Sequence, residues 1–555
     1  MTRLTAIILG ILIACTGAFA HGRNCATANL FHHKQYNKSP LQASVTRANR
    51  ADLFSITNCA TEAYYNKVLS KKTEHFHIFY TLEGPHATKK EFVDSVAVNL
   101  ERAYTMHTKD LGMHKPIGPT KTHHYNKDVD KGLYAVEIIE LDLIRDASRI
   151  FNRQTCEGCF GLTLPVHDEY YIEDTDTTQL FIDNDFKYIS PSTGKRKSMD
   201  DNPECTYIES SIPLTQQATG DDFSKNWNSA IRITSFHELY HASQLTYLNM
   251  YNYWTIWFEA SATGVEEIGA PEVNDYFGYI NNYLKNEKII GVPLNAISDT
   301  FTYGVSPLYL YLYNNINKKF DHEIWEGFEK NPEKSLDQQL SSYLKKRKLD
   351  GDSVFHDFAV RLSFSGDRSK AIDSKKWLHK DEKDWNSLEY NMSPTFTPDT
   401  SRFMFDYYAG SQPDITNYKG DVSAVVYRDG KAKIIPVKTT NTADSIYSTL
   451  SKVDSIVWVF SRFGESDFVE TIVTNTKLRA YPTPWREGSL CFTPLPRDKD
   501  YVEIRNRRGA IVMHEKYQGT LLCIEENKVR EKMAPGVYWF RAGNSGKAEK
   551  FMIVY

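Results

Sequence analysis

The chain has 555 residues, which is too long for one ordinary hydrophobic core and predicts two to four domains. Its hydrophobic content of 41% and charged content of 25% are those of a folded globular protein. The formal net charge of -4 argues against a nucleic-acid partner, since basic runs such as 345–348 are short.

The first twenty residues predict export. A short apolar run precedes an A-x-A cleavage signature at residues 18–20, so we interpret residues 1–20 as a signal peptide. Residues 12–15 also resemble a lipobox, in which Cys15 would carry a lipid anchor. No later segment reaches transmembrane length, and we therefore expect a secreted or cell-surface protein.

Eight cysteines suit an oxidising compartment and predict disulfides. Two local pairs fit the spacing, Cys25–Cys59 and Cys491–Cys523. Cys156, Cys159 and Cys205 would then share one bridge and one thiol. The C-x-x-C formed by Cys156 and Cys159 could also bind zinc, but no clear second pair accompanies it, so disulfide bonding is favoured.

Hydrophobic periodicity predicts an α+β, two-lobed enzyme domain over residues 71–375, after an N-terminal extension or pro-segment at 21–70. The predicted strands lie at 75–80, 133–143, 170–172 and 179–182, and the predicted helices at 89–109, 222–248, 254–268 and across 307–364. Short alternating runs predict a β-rich domain at 395–478 and a second small β-sandwich-like domain at 479–555.

An H-E-x-x-H motif stands inside the helix predicted at 222–248, as His237, Glu238 and His241. Positions i and i+4 share one face of a helix, so both imidazoles can bind one metal ion. Glu238 then lies close enough to polarise a metal-bound water. The alternative is a helix whose histidines only form hydrogen bonds in the core.

A zinc site needs a third protein ligand and one open position. Seventeen residues separate His241 from Glu259, and an antiparallel second helix would return Glu259 to the histidines. Glu266 lies two turns later on the same face. It is predicted to hold a ligand imidazole in place without binding the metal itself. Glu267 points elsewhere and is predicted to be solvated. Ordinary surface carboxylates are the alternative for Glu259 and Glu266.

The H-E-x-x-H motif followed by Trp257-Phe258-Glu259-Ala260-Ser261-Ala262 resembles the gluzincin metallopeptidases, especially their aminopeptidase-N-like branch. Trp257 stands two residues before Glu259, where that branch has three, and the gap after His241 is one residue shorter. The sequence holds no Gly-Ala-Met-Glu-Asn-type exopeptidase motif. The resemblance therefore favours an endopeptidase.

A closer resemblance, over residues 70–365, is to a family of secreted bacterial metalloproteases. It is carried by His75–Tyr80, Gly84–Ala87, Val93–Ala97 and His237–Gln244. It implies one zinc ion per chain held by His237, His241 and Glu259. Glu238 would then be the general base when a zinc-activated water hydrolyses a protein or peptide substrate. Tyr303 is a candidate donor to the oxyanion, and a packed tyrosine is the alternative.

The C-terminal segment 479–555 resembles the sorting domain of type IX secretion. The resemblance is carried by Tyr481–Pro484, Val502–Gly509, Met533–Tyr538 and the final strand that ends at Tyr555. It implies export from a Gram-negative bacterium and contact with the export machinery. The alternative is an ordinary accessory β-sandwich.

Two acidic turns, at 174–176 and 183–185, offer oxygen ligands for calcium but lack the twelve-residue loop pattern, so solvated turns are favoured. Two rival functions stay open. One is a non-catalytic cell-surface binding protein on a zincin-like scaffold, and the other is an adhesive protein in which the β-domains matter most. The sequence favours a secreted zinc peptidase with a zincin-like α+β domain.

Overall fold

The computed structural model describes residues 67–554 with internal gaps. The residues left undescribed inside this range are 144–158, 166–176, 190–194, 200–201, 217–218, 248–254, 286–298, 332–333, 335, 393–402, 411, 450–451, 465–477, 482–484, 487–488, 494, 496–498, 508, 518–521 and 544–547. The predictions for residues 1–66, for Cys156, for the strand at 170–172 and for the turn at 174–176 lie outside the described residues. The chain divides into two compact units, Met1–Glu465 and Ser466–Tyr555.

A five-stranded sheet opens the described part of the first unit and confirms the strands predicted at 75–80 and 179–182. It confirms the strand predicted at 133–143 over residues 134–139, whereas residues 141–143 form a 3-10 turn. Its strands are β1 (Leu69–Lys72), β2 (Phe76–Tyr80), β3 (Tyr134–Ile139), β4 (Gly161–Pro165) and β5 (Thr178–Asp183), in the order β1-β2-β3-β5-β4. The three central strands are parallel, and β1 and β4 run antiparallel at the two ends. All residues of the central strands are buried, as expected for parallel strands covered on both faces.

Helix α1 (Lys90–Thr105) connects β2 to β3 and continues into a π-helical turn, Met106–Asp110. It buries one apolar face that includes Phe92, Val96 and Leu100, which confirms the periodicity of the sequence. After β5 come two short strand pairs. These are β6 (Lys187–Tyr188) with β9 (Ile212–Pro213), and β7 (Arg196–Met199) with β8 (Asn202–Ile208).

The rest of the first unit is mainly helical. Its helices are α2 (Trp227–Gln244), α3 (Thr255–Gly269), α4 (Phe277–Leu284), α5 (Asp299–Gly304), α6 (Ser306–Asn315), α7 (Phe320–Lys330), α8 (Leu336–Lys346) and α9 (Gly351–Leu362). Helix α2 packs on both α1 and α3. Asp350 caps α9 by accepting a hydrogen bond from the Ser353 amide. Short 3-10 turns follow at 366–371, 374–376 and 382–384.

Within the segment predicted as β-rich at 395–478, the described residues between 403 and 464 include an antiparallel sheet in the first unit. Its elements are β10 (Met404–Tyr408), β11 (Asp421–Arg428), β12 (Lys431–Pro436), α10 (Thr440–Tyr447) and β13 (Ser455–Arg462), with strand order β10-β13-β11-β12. Phe355 of α9 stacks on Phe403, and Phe358 lies edge-on to Phe405. The sheet therefore shares one hydrophobic core with the helices.

The described residues of the second unit form mostly β structure, with one helix. Its elements are β14 (Arg479–Tyr481), β15 (Leu490–Thr493), β16 (Tyr501–Arg505), β17 (Ile511–Lys516), β18 (Leu522–Ile524), α11 (Glu526–Lys532), β19 (Gly536–Ala542) and β20 (Glu549–Ile553). They form the sheets β14-β15-β18 and β17-β16-β19-β20. Cys491 and Cys523 form the predicted disulfide. Among the described residues of the whole chain, no helix is long and apolar enough to cross a membrane.

Candidate metal centre

Two packed helices position the residues of the H-E-x-x-H motif and its partners. Helix α2 carries His237, Glu238 and His241, and α3 carries Glu259 and Glu266. Every residue of α2 from position 233 onward is buried, and so is α3 from 256 to 267. The sequence pattern predicted one apolar face, but both helices lie in the interior. All five functional side chains are therefore removed from water, with exposures of 0 to 2%.

Three potential ligand atoms converge between the helices. The Nε2 atoms of His237 and His241 are 2.9 Å apart. Glu259 Oε2 lies 3.1 Å from the first and 3.4 Å from the second. The side chains that could hold a metal ion thus offer atoms within 4.8 Å of one another. The antiparallel return of α3 brings Glu259 to the histidines, as the spacing predicts.

Hydrogen bonds at the far side of each imidazole set its tautomer. Glu266 accepts from His237 Nδ1, and Gln244 Oε1 lies 2.7 Å from His241 Nδ1. The Gln244 amide nitrogen donates to Ser261 Oγ at 2.7 Å, which fixes its oxygen toward the ring. Both Nδ1 atoms are therefore assigned as donors, and both Nε2 atoms present lone pairs to the centre.

This arrangement leaves three electron-rich atoms facing one another in a buried space. Two imidazole lone pairs and a carboxylate repel unless a cation lies between them. Glu259 Oε1 is buried and accepts no hydrogen bond from the described residues. The donor set therefore fits a divalent metal ion.

Strand β4 passes directly beside Glu238. The Thr163 hydroxyl lies 3.0 Å from Glu238 Oε2 and 2.7 Å from the Glu238 carbonyl oxygen. A Cβ atom at Gly161 would meet Glu238 Cγ and Thr234 Cγ2 at 2.6 Å each, so only glycine permits this approach. Sequence reasoning missed both residues because β4 was not among the predicted strands. The glycine that opens the alternating run 161–165 is the signal that could have found them.

Tyr303 lies on α5 close to the centre. Its ring centroid is 6.3 Å from that of His237, and its ring stacks on Tyr279 at 4.6 Å. The side chain is 2% exposed. Phe258 stacks on the second ligand imidazole, His241, with centroids 4.0 Å apart, and so limits rotation of that ring.

Two predictions of solvated carboxylates are wrong. Glu267 is 2% exposed, because α3 is buried on the side that was expected to face water. Burial and then Asp381 raise the pKa of Glu267 to about 8. In the turn at 183–185, Asp183 is 1% exposed and accepts a hydrogen bond from the Phe186 amide at 2.6 Å. Asp183 thus serves the turn as expected, but inside the protein, where burial and then Asp185 raise its pKa.

Comparison with known proteins gives no relative that defines a family. No protein-family model matches the chain. No curated protein matches it either. Eight solved chains match, among them PorZ, described as an essential bacterial surface component of the type-IX secretion system of human oral-microbiomic Porphyromonas gingivalis. That match has 16% identity and a TM-score of 0.14, and it covers 18% of this chain and 14% of the other. At this TM-score the likeness defines neither the fold nor the activity of the chain.

Proposed function

We propose that the chain is a zinc-dependent peptidase whose metal ligands are His237, His241 and Glu259. The observation that carries the proposal is the convergence of two imidazole lone pairs and one carboxylate oxygen in a fully buried space. Imidazole ligands favour zinc over calcium or magnesium, which prefer oxygen. Three protein ligands also leave one position open, as in catalytic zinc sites.

When bound, zinc supplies a Lewis acid that lowers the pKa of coordinated water to about 7. The chain's own proton carrier is Glu238, which accepts a proton from the attacking water and donates it to the leaving amine. Thr163 lies within hydrogen-bond distance of the same carboxylate and orients it. Tyr303, beside His237, is the proposed donor to the oxyanion.

The position of β4 supports a peptide substrate. This strand is the last in its sheet among the described residues, and it carries Thr163 beside Glu238. An extended peptide can pair with such an edge and present its carbonyl groups at regular spacing. Because the ligands are buried, peptide access requires a movement that exposes Glu238. We further propose that the sheet and the helices of the first unit form the two lobes of a zincin-like domain.

The second unit supports a proposal about location. The described residues of the compact unit Ser466–Tyr555 lie mainly in β-sheets, which suits a sorting domain. The function proposed for this unit is export to the cell surface or medium. Removal of residues 479–555 should leave the protein inside the producing cell, and unchanged export would contradict this assignment.

The test of the peptidase is metal content and cleavage in matched variants of the full chain. Glu259→Ala should lose one equivalent of zinc relative to wild type, as measured by elemental analysis. Glu238→Gln should keep that zinc but cleave a peptide library about 100-fold more slowly or worse, since general-base catalysis contributes at least that much. Glu329→Gln, an exposed carboxylate on α7, is the control and should change neither.

Two outcomes would overturn the proposal. One is a folded wild-type protein that, after zinc is added back, holds no more metal than Glu259→Ala. The other is a zinc-loaded protein whose cleavage activity survives Glu238→Gln. The first result would leave the non-catalytic binding protein as the better interpretation.

A further inference from the structure

A second group of side chains that could bind a metal ion includes Glu267, the residue of α3 that follows Glu266. Glu267, His379 and Asp381, together called the His379 cluster, offer atoms within 4.8 Å of one another. His379 Nε2 lies 3.7 Å from Glu267 Oε1, and His379 Nδ1 lies 3.5 Å from Asp381 Oδ2. The imidazole thus lies between two carboxylates that come from different parts of the chain.

The Glu267 carboxylate lacks the partners that a buried charge needs. Its side chain is 1% exposed, and neither oxygen accepts a hydrogen bond from the described residues. The nearest ammonium group is Lys380 Nζ, 3.2 Å from Oε1, and its side chain is 56% exposed. Asp381 has a hydrogen-bond donor that Glu267 lacks, because the Tyr276 hydroxyl donates to Asp381 Oδ2 at 3.1 Å. Burial of a carboxylate without full pairing is costly, so Glu267 keeps a proton near neutral pH, as its pKa of about 8 indicates, unless a bound cation displaces that proton.

Once the Glu267 proton is displaced, the charges in the cluster do not balance. Two carboxylates face one ammonium group, and that ammonium belongs to a side chain that extends into solvent. Lys380 can move into solvent at the cost of its ion pair with Glu267, and a divalent ion that displaces the Glu267 proton can take its place between Glu267 and Asp381. Such an ion would offset both carboxylates and bind a nitrogen of His379.

We propose that Glu267, His379 and Asp381 form a second metal site, for a divalent transition metal of the zinc class. A donor set of one imidazole and two carboxylates suits such an ion better than calcium or magnesium. The site would join the segment of 3-10 turns at 366–384 to α3. Because the preceding residue on α3, Glu266, holds His237, the second metal would also steady the orientation of that imidazole. The site does not depend on peptidase activity.

The experiment is a zinc titration of the full chain in four backgrounds, read by elemental analysis and calorimetry. Wild type should bind two equivalents. Glu259→Ala and His379→Ala should each bind one, and the double variant none. Zinc should raise the thermal midpoint of Glu259→Ala, since only the second site remains there to be filled, and should leave that of the double variant unchanged.

Three variants separate a metal site from a simple ion-pair network. Lys380→Ala should bind the second equivalent at least as tightly as wild type, because it removes a competing cation. His356→Ala is the matched control, since His356 is also largely buried but lies between the Ser423 and Ser461 hydroxyls, and it should keep two equivalents. Asp381→Asn serves in place of His379→Ala if that variant does not fold.

The proposal is overturned if His379→Ala and Asp381→Asn bind as many zinc equivalents as wild type and Lys380→Ala do. A single equivalent that depends on Glu259 would then leave the peptidase proposal intact. Conversely, a single equivalent that depends on His379 but not on Glu259 would support the second site and contradict the first. The two proposals therefore fail in distinguishable ways.

Discussion

The two compact units of the chain differ in what they bury. The first unit buries many charged and polar side chains, including both histidines of the H-E-x-x-H motif and the carboxylates beside them. Among the described residues of the second unit, one such side chain is buried, Glu503, and it pairs with Arg505 and Arg541 at 2.7 and 3.0 Å. Because removal of charge from water costs free energy, a fold selected for stability alone resembles the second unit. We attribute the buried imidazoles and carboxylates beside the motif in the first unit to the metal site proposed above.

The largest effect is expected in the second unit, which combines a small apolar core with a disulfide. Cys491 and Cys523 are 32 positions apart, and closing a loop of that length stabilises a fold by roughly 3 to 4 kcal/mol. The double variant Cys491→Ala/Cys523→Ala should lose about this much. Hydrogen exchange of peptides from 490–524, followed by mass spectrometry, measures the change.

The same variant tests whether the two units are energetically separate. Exchange protection of α2 and zinc binding by the first unit should stay at wild-type values. If hydrogen-exchange protection falls equally in α2, the two units are not energetically separate, since the disulfide then stabilises the whole chain.

A smaller effect is expected from Glu137, one of the buried carboxylates of the first unit. It is fully buried on β3 and accepts hydrogen bonds from the Tyr125 amide at 2.7 Å and from Gln179 Nε2 at 2.6 Å. Burial outweighs these donors and raises the pKa of Glu137 from 4.5 to about 7. Between these values the folded protein holds a proton that the unfolded chain has released. Stability therefore falls as pH rises through this window, by roughly 3 kcal/mol for such a shift.

Glu137→Gln should remove this dependence, because its side chain stays neutral at every pH. The free energy of unfolding of wild type minus that of the variant should fall between pH 4.5 and about 7 and then level off. Urea denaturation at a series of pH values gives the difference. A difference that rises with pH would mean that Glu137 is ionised in the folded state and paired with a cation.

Sequence alone predicts the parts of the first unit that local periodicity encodes. The i, i+4 spacing of His237 and His241 predicts a shared helix face, and the length of the connection to Glu259 predicts an antiparallel return. Gly161 and Thr163 were missed because their role depends on which strand of the sheet passes beside α2, and no local pattern states that. Glu267 was predicted to be solvated because helix α3 was assumed to have one solvent-exposed face. The burial of α3 on all sides is a tertiary property.

The smallest effect is expected at Gln244, which orients His241 as Glu266 orients His237. Its Oε1 lies 2.7 Å from His241 Nδ1, and its amide nitrogen donates to Ser261 Oγ and to the Phe258 carbonyl oxygen. Gln244→Ala should weaken zinc binding about 10- to 100-fold, the range found for residues that orient a metal ligand. Competition with a zinc chelator measures the change.

Gln244→Glu tests whether an acceptor oxygen at this position is enough to orient His241 without the amide donor. Its carboxylate can still accept from His241 Nδ1, so zinc affinity should return to within about tenfold of wild type. It cannot donate to Ser261 Oγ as the amide does, so stability should recover less than affinity does. If Gln244→Ala and Gln244→Glu weaken zinc binding equally, the hydrogen bond accepted from His241 Nδ1 does not set the affinity, and His241 is then held chiefly by its stacking on Phe258.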